Sequence, residues 1–453
     1  NDQETTPMPK HAAIAPKPVK DWPSTEQVLE DRKKFMLSAL LTYYSKPMQI
    51  VRGEGQFVFD EKGKRYLDGF AGIVTISIGH CHPHFVRRIQ EQAAQLVHTT
   101  TLYLHPSLAE FAKRLIEKAK SANPAMEACY FTSSGSEANE VAALLAKNAT
   151  GNHEFLALRH AYHGRTLLTM GFTGQGTWRH STPYYFGVSH VPSDYHYRRP
   201  EGQTPQQYSD GCVRELRETL RCSTSGKIAA YIAEPIQGNG GVVVPMPSYF
   251  PQAYEAVKKA GGLFISDEVQ TGVGRTGKKF FGIEHWGVKP DIITMAKGLG
   301  NGFPIGAVIM TREVSEAMRG KLHINTFGGN PLAMAAGSAV LDVIEKEKLS
   351  ENAQEVGAYL KKRFEAMAGD SRWIGDVRGM GLMLGVELVK DKKTKEIAPQ
   401  EAAKLLDLAK DRGLLIGKGG LDGNILRIKP PLCFTKKDAD FMADVIEECL
   451  KEL

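Results

Sequence analysis

Apolar positions along this chain fall into two kinds of run. Short runs rich in Ile, Val, Leu, Phe and Ala, at 128–132, 154–158, 228–233, 263–266, 291–295 and 305–310, read as strands. Between several of them apolar residues return every three or four positions, as in 206–220 and in the small-residue stretch after 325–329, which is the helical period. Strands alternating with helices predict an α/β large domain, a mixed, mainly parallel sheet flanked by helices. Two stretches break this rhythm. Short apolar runs at 50–51, 56–60 and 65–67, joined at Gly53 and Gly63, predict a small meander ahead of the main sheet. From about Leu349 a long amphipathic helix, short strands at 382–388, 414–416 and 425–428, and a closing helix from Thr435 predict a small α+β terminal domain.

The expected division is an N-terminal arm over 1–23, an N-terminal segment of the small domain over 24–75, a large domain over 76–345 and a C-terminal small domain over 346–453. The arm is rich in Pro, Lys and Ala and cannot build a core. Ser24 and Gln27 have capping-box spacing, and Val28, Phe35, Leu37, Leu40 and Leu41 give the segment after them an apolar face. Pro83 stands early in a helix, where proline is tolerated. Residues 174–210 show no period and read as a long loop region.

Charge enters at the strand ends. The runs 263–266 and 291–295 lead to Asp267 and Lys297, and 228–233 leads to Glu234. Ligands of open α/β sheets sit outside the carboxyl ends of the strands, so an acid and an amine delivered there face one ligand. A carboxylate for a pyridine nitrogen and a lysine able to form an imine are the pair that a pyridoxal phosphate (PLP) site needs; on spacing alone an ordinary ion pair remains the alternative. After 128–132 the chain reads SSGSEANE and opens a helix. The unpaired N–H groups of Ser134, Gly135 and Ser136, the positive helix end and the hydroxyls suit a phosphate dianion, with a plain N-cap as the alternative. The stretch GVGRTGK at 272–278 nearly matches a nucleotide phosphate loop, but Lys279 stands where that loop needs Ser or Thr for magnesium.

The wording DEVQTGVGRTG followed by PDIITMAKGLGNGFPIGAV closely resembles the class III (ω-amino-acid) aminotransferases of PLP-dependent transferase fold type I, and the likeness runs from about Pro47 onward. The resemblance implies that Lys297 is the Schiff-base lysine and proton carrier, and that Asp267 holds the pyridine nitrogen. It further implies that Val269 packs on the ring, that Gln270 lies near its phenolic oxygen, and that Tyr162, also placed among the catalytic residues, stacks on the ring with His163 closing that side. It places Ile73 in the wall of the substrate entrance, and Arg165 and Arg427 on substrate carboxylates. Glu234 and Arg427 are expected to form a pair that opens for one substrate and closes for the other. A homodimer is expected, with a dimer of dimers left open, in which Thr326 of NTFGGN reaches the phosphate bound by the other subunit.

The implied activity moves an amino group from an ω-amino acid or alanine to a small α-keto acid such as pyruvate or glyoxylate, in two half-reactions. IGDVRGMGLMLGVELV, IGKGG and PPLCFTKKDADF resemble the alanine–glyoxylate and β-alanine–pyruvate branch. YHGRT resembles branches that use 4-aminobutyrate or ornithine with 2-oxoglutarate. That alternative stays open here, as does a PLP-dependent aminomutase or racemase.

Composition narrows the partners. The net charge of +6 arises from 57 Lys and Arg against 51 Asp and Glu, with no basic block to track a nucleic-acid backbone. Small amino and keto acids are the expected partners, with neither nucleic acid nor membrane, since no apolar run is long enough to span a bilayer. Six cysteines without a CxxC pair point to a reducing compartment, the cytoplasm, with the mitochondrial matrix left open. His80, Cys81, His82 and His84 make half a ligand set with no second group to answer it, so no metal is expected.

Overall fold

In the computed structural model, which describes residues 22–180 and 187–453, the main sheet runs in the order Met126–Thr132, Gly306–Thr311, Ile292–Met295, Leu263–Asp267, Ala230–Ala233, Phe155–Leu158, Val188–Val191. Gly306–Thr311 is antiparallel to both of its neighbours, and the other pairings are parallel. All strands but that one therefore end at the same edge, and this gathers Asp267, Glu234 and the turn carrying Lys297.

Every residue of Phe155–Leu158, Ala230–Ala233 and Ile292–Met295 is buried, as parallel strands covered on both faces must be. The period-two pleat divides the core. Phe155, Ala157, Ile232 and Ile292 face the helix Gly135–Thr150, packing with its Ala142, Leu145 and Ala146. Leu156, Tyr231, Phe264 and Ile293 face the opposite layer, which includes Phe111, Leu216, Phe250 and Val257.

The meander Ile50–Glu54, Phe57–Asp60 and Arg65–Asp68 is joined by Leu414–Leu415, which pairs parallel to Arg65–Asp68. A second small sheet is built from Ile374–Met380, Met383–Asp391, Ile425–Ile428 and Gly417–Gly419, with Glu396–Ile397 alongside. The first strands of the chain are thus tied to its last third.

Four strands escaped the sequence pattern: the two- and three-residue Glu396–Ile397 and Gly417–Gly419, and two longer ones. Val188–Val191 lies inside the expected loop region; its VSHV alternation is that of an exposed edge, and only Val191 is buried. Ile374–Met380 carries Asp376 and Arg378, which mask its strand character. The helix Thr25–Phe35 has its expected cap, Ser24 Oγ accepting from Gln27 N at 3.1 Å, but none of its residues is buried, and Leu37 and Leu41 beyond it lie open. Capping is a local matter, whereas an apolar face needs a surface to meet, and the described residues cover this one only in part. Of the expected arm, only residues 22–23 fall within the described residues.

Candidate active site

Lys297 opens a short turn, Lys297–Leu299, directly after the strand Ile292–Met295. Its backbone has φ +45°, a left-handed conformation costly for a residue with a side chain, so the surrounding structure must hold it. Asn301 does much of that holding. Its Oδ1 accepts from Ser77 N and Ile78 N, its Nδ2 donates to Gly79 O, and Ser77 Oγ donates to Gly298 O at 2.6 Å.

The Lys297 side chain enters a cavity of about 150 Å³ whose walls include Ser134, Gly135, Ser136, Tyr162, His163, Glu234, Asp267, Val269 and Gln270. Among the described residues Lys297 Nζ has neither a hydrogen bond nor an ion pair. Burial pulls its ammonium down to about 8, against the opposing pull of Asp267 and Glu234. An amine in that range reaches its neutral, nucleophilic form near physiological pH.

Asp267 ends the strand Leu263–Asp267 and is held firmly. Its Oδ2 accepts from Asn139 Nδ2 at 2.8 Å and pairs with His163 Nδ1 at 2.7 Å, while Oδ1 accepts from Val269 N. Asn139, on the helix Gly135–Thr150, is braced in turn by Thr294 Oγ1, which donates to Asn139 Oδ1. The neighbouring carboxylate, Glu268, is taken up by Gly282 N, Ile283 N and the hydroxyls of Ser266 and Thr271, and it does not line the cavity. One carboxylate serves the cavity and the next serves the fold.

At the other end of the cavity the helix Gly135–Thr150 begins, capped by Ser134 Oγ, which accepts from Glu137 N. The first N–H groups of a helix have no intrahelical carbonyl. Ser136 Oγ accepts from Arg165 N, leaving its hydroxyl hydrogen free to donate. A Cβ at Gly135 would stand 3.1 Å from both methyls of Val269, so glycine lets the helix start close on the cavity wall. Tyr162 forms another wall, its ring set edge-on against Trp178 with centroids 5.4 Å apart. These groups fit PLP: a free amine for the aldehyde, a braced carboxylate for the ring nitrogen, unpaired N–H donors for the phosphate, and Tyr162 and Val269 for the ring.

Some expected residues lie elsewhere. Glu234 and Arg427 form no ion pair among the described residues. Glu234 accepts from Tyr162 N at 2.9 Å and Gly238 N at 2.8 Å, and Arg427 donates to Lys418 O and Asn239 Oδ1 and lies over the Phe70 ring. Glu234 is thus held by two backbone N–H groups and Arg427 by one backbone carbonyl and the Asn239 side chain. Arg165 and Thr326 are exposed and do not line the cavity. Ile73, half exposed, sits in a turn in which Ala71, Gly72, Ile73 and Val74 all have positive φ, between 52° and 66°. Sequence reading missed Asn139 and Asn301. Asn139 could have been found, because it stands one helical turn from the SSGS loop on the same face as Ser136.

His80, His82 and His84 each meet a different carboxylate, Asp68, Glu347 and Asp342.

A mostly parallel sheet that presents an unpartnered lysine, a braced carboxylate and a helix start around one cavity is the architecture of a PLP-dependent enzyme, and PLP is the cofactor. The chain belongs to the family Aminotransferase class-III, whose profile matches residues 42–450. Over 431 residues it is 46% identical to alanine–glyoxylate aminotransferase 2 homolog 2, mitochondrial, of Arabidopsis thaliana, covering 95% of this chain and 88% of that protein. It is 40% identical over 446 residues to alanine–glyoxylate aminotransferase 2, mitochondrial, of Homo sapiens, covering 94% and 86%. Among solved structures, a thermostable (S)-enantioselective omega-transaminase from Thermomicrobium roseum matches with TM-score 0.87 at 36% identity, covering 95% of this chain and 99% of that one.

Proposed function

We propose that this aminotransferase passes the amino group of alanine or an ω-amino acid to glyoxylate or pyruvate. The observation that carries this reading is the unpartnered Lys297 amine facing a carboxylate already held by two side chains. The names of the plant and human relatives favour alanine and glyoxylate over a 2-oxoglutarate acceptor. When bound, PLP supplies an aldehyde that takes up amines and a ring that accepts electron density from the substrate Cα.

This chain's residues do the rest. Lys297 Nζ would hold the cofactor's aldehyde carbon and is the amine placed to carry the substrate Cα proton. Asp267 would hold a proton on the ring nitrogen through a charge-assisted hydrogen bond, and His163 and Asn139 keep Asp267 aimed. Ser134, Gly135 and Ser136 hold the phosphate, and Tyr162 and Val269 enclose the ring. Arg427 is buried and has no carboxylate partner among the described residues, so a keto-acid carboxylate that reaches it relieves an uncompensated charge. Glu234 holds the backbone of Tyr162 and Gly238, and Arg165 and Ile73 stand at the entrance.

Thr326 is assigned to the phosphate of a second subunit in a homodimer. Its exposed neighbour Phe327 and the apolar groove lined by Leu104, Leu108 and Phe131 favour such a contact. Sedimentation of a fully active monomer would refute it. We place the lobe boundaries near residues 75 and 345. Among the described residues no helix is long and apolar enough to cross a membrane. The mitochondrial names of the relatives favour the matrix over the cytoplasm, which a fluorescent fusion tests.

The activity itself is tested with a panel of amino donors crossed with pyruvate, glyoxylate and 2-oxoglutarate. Preference for 2-oxoglutarate would overturn the acceptor, and isomerisation of one substrate without amino transfer would favour an aminomutase or racemase.

A further inference from the structure

Behind the cavity lies a second lysine that the mechanism above does not use. Lys429 follows the strand Ile425–Ile428 and is fully buried. Its Nζ donates to Gln270 Oε1 at 2.8 Å and to Gly238 O at 3.2 Å. No carboxylate lies within ion-pair distance of it among the described residues; the charges that act on it are Arg427, Lys297 and Arg275, with Glu234 opposing, and burial above all drives its ammonium well below the ordinary lysine range. A buried lysine without an anion is costly and calls for a reason.

Gln270 supplies one. An amide has a donating and an accepting end, and a lysine ammonium only donates. In the structure Lys429 Nζ donates to Gln270 Oε1 and to Gly238 O, using two hydrogens that an ammonium and a neutral amine both carry, so Oε1 is turned toward Lys429 and Nε2 is the end left for the cavity that Gln270 lines. Gly238 closes the cradle: a Cβ there would stand 2.2 Å from Gln270 Oε1 and 2.6 Å from Nε2, while the Gly238 N–H is fixed by Glu234 Oε2. In the site assignment above, on which this step rests, phosphate, ring nitrogen and aldehyde all have partners. The phenolic oxygen, next to the aldehyde carbon and hence to Lys297, remains. Turned the other way, Gln270 would present an oxygen to that oxyanion.

We infer that Lys429 is a positioning residue that locks the Gln270 amide so that Nε2 donates to the phenolic oxygen of the cofactor. The donor favours the bound cofactor's deprotonated form, so its loss moves the pH midpoint of the cofactor's visible absorbance change upward.

The test is a spectrophotometric pH titration of holoenzyme for the parent, Lys429→Met, Lys429→Gln, Gln270→Leu and the double variant Lys429→Met/Gln270→Leu, with circular dichroism for folding. Lys429→Met should raise the midpoint by about 0.5 to 1 pH unit, the worth of one hydrogen bond. Lys429→Gln, which keeps a donor and drops the charge, should titrate like the parent. In the Gln270→Leu background Lys429→Met should add no shift. A parental midpoint in Lys429→Met, an equal shift in Lys429→Gln, or a further shift in the double variant would overturn the inference. If Lys429→Met does not fold, Lys429→Gln against Gln270→Leu decides: a parental midpoint in the first and a raised one in the second support it, and a raised midpoint in the first refutes it. A parent chain that gains no visible band with PLP would instead sink the site assignment and this step with it.

Discussion

Two buried ionic clusters in this molecule have opposite finish. In the C-terminal sheet, Arg378 Nη1 pairs with both Glu387 and Asp376 at 2.7 Å, and its other nitrogens donate to Tyr195 Oη, Gly241 O and Val242 O. Arg198 and Tyr195 donate to the same Glu387 carboxylate. At the edge of the main sheet, Asp267 is braced by His163 and Asn139, yet among the described residues Lys297 Nζ has no partner and His163 Nε2 is buried without one. The first network is closed and holds the C-terminal sheet against the loops around residues 195 and 241. The second is left open on the side where a cofactor arrives. What sets the second cluster apart is an open amine facing a braced carboxylate across a cavity, and not the number of its charges.

The comparison breaks most readily at Lys297. Lys297→Ala should lower amino transfer by at least ~10²-fold, the usual range for a lost positioned base being about 10² to 10⁴. Steady-state assay together with loss of the visible band checks this, and a near-parental rate would return the open cluster to an ordinary ion-pair site. Glu387→Gln should do the reverse. It removes the carboxylate that Arg378 and Arg198 share and leaves Arg378 with Asp376 alone; losing one partner of a buried charge cluster costs up to roughly 3 to 5 kcal/mol of stability, while activity per folded molecule stays near parental. Urea unfolding followed alongside activity separates the two effects.

Asp267→Asn should bind PLP but turn over about 10- to 100-fold more slowly, as expected for losing a charged hydrogen bond. Unchanged kcat would make Asp267 a structural residue.

The smallest effects are in pH. Burial pushes Glu387 up, but Arg378 and Arg198 outweigh it and hold the carboxyl below its ordinary range. A lowered folded pKa gives stability that is present above the unfolded value, ~4.3, and lost as pH falls through the folded one. The parent should therefore lose more stability than Glu387→Gln on acidification below about pH 4, measured by thermal melts. For Lys297 the neutral amine prevails above about 8, so PLP uptake by the apo chain should quicken as pH rises to that point. Asp267 raises the Lys297 pKa, so Asp267→Asn should move this midpoint downward; stopped-flow absorbance reads both.

Much of the molecule was legible before any coordinates. The apolar runs that lead to Asp267, Lys297 and Glu234 became parallel strands ending at one edge, because buried parallel strands are written as continuous Ile, Val, Leu and Ala. The helix start at Ser134 was equally plain, since a cap is a property of a few adjacent residues. The strand Val188–Val191 was not, because an edge strand keeps a polar side and borrows its identity from Phe155–Leu158.

The sequence by itself determined the local chemistry: which residue types stand at which strand ends, where a helix offers its N–H groups, and which family the wording belongs to. Only the tertiary structure decided which charges meet. Glu234 and Arg427, expected as a pair because a lone buried Arg is costly, are held here by Tyr162 N, Gly238 N, Lys418 O and Asn239 Oδ1. Lys429 and Gln270, 159 positions apart, share a hydrogen bond that no spacing announces. Local patterns follow from neighbours along the chain, whereas the partner of a buried charge depends on where distant backbone donors and acceptors fall once the sheets have packed.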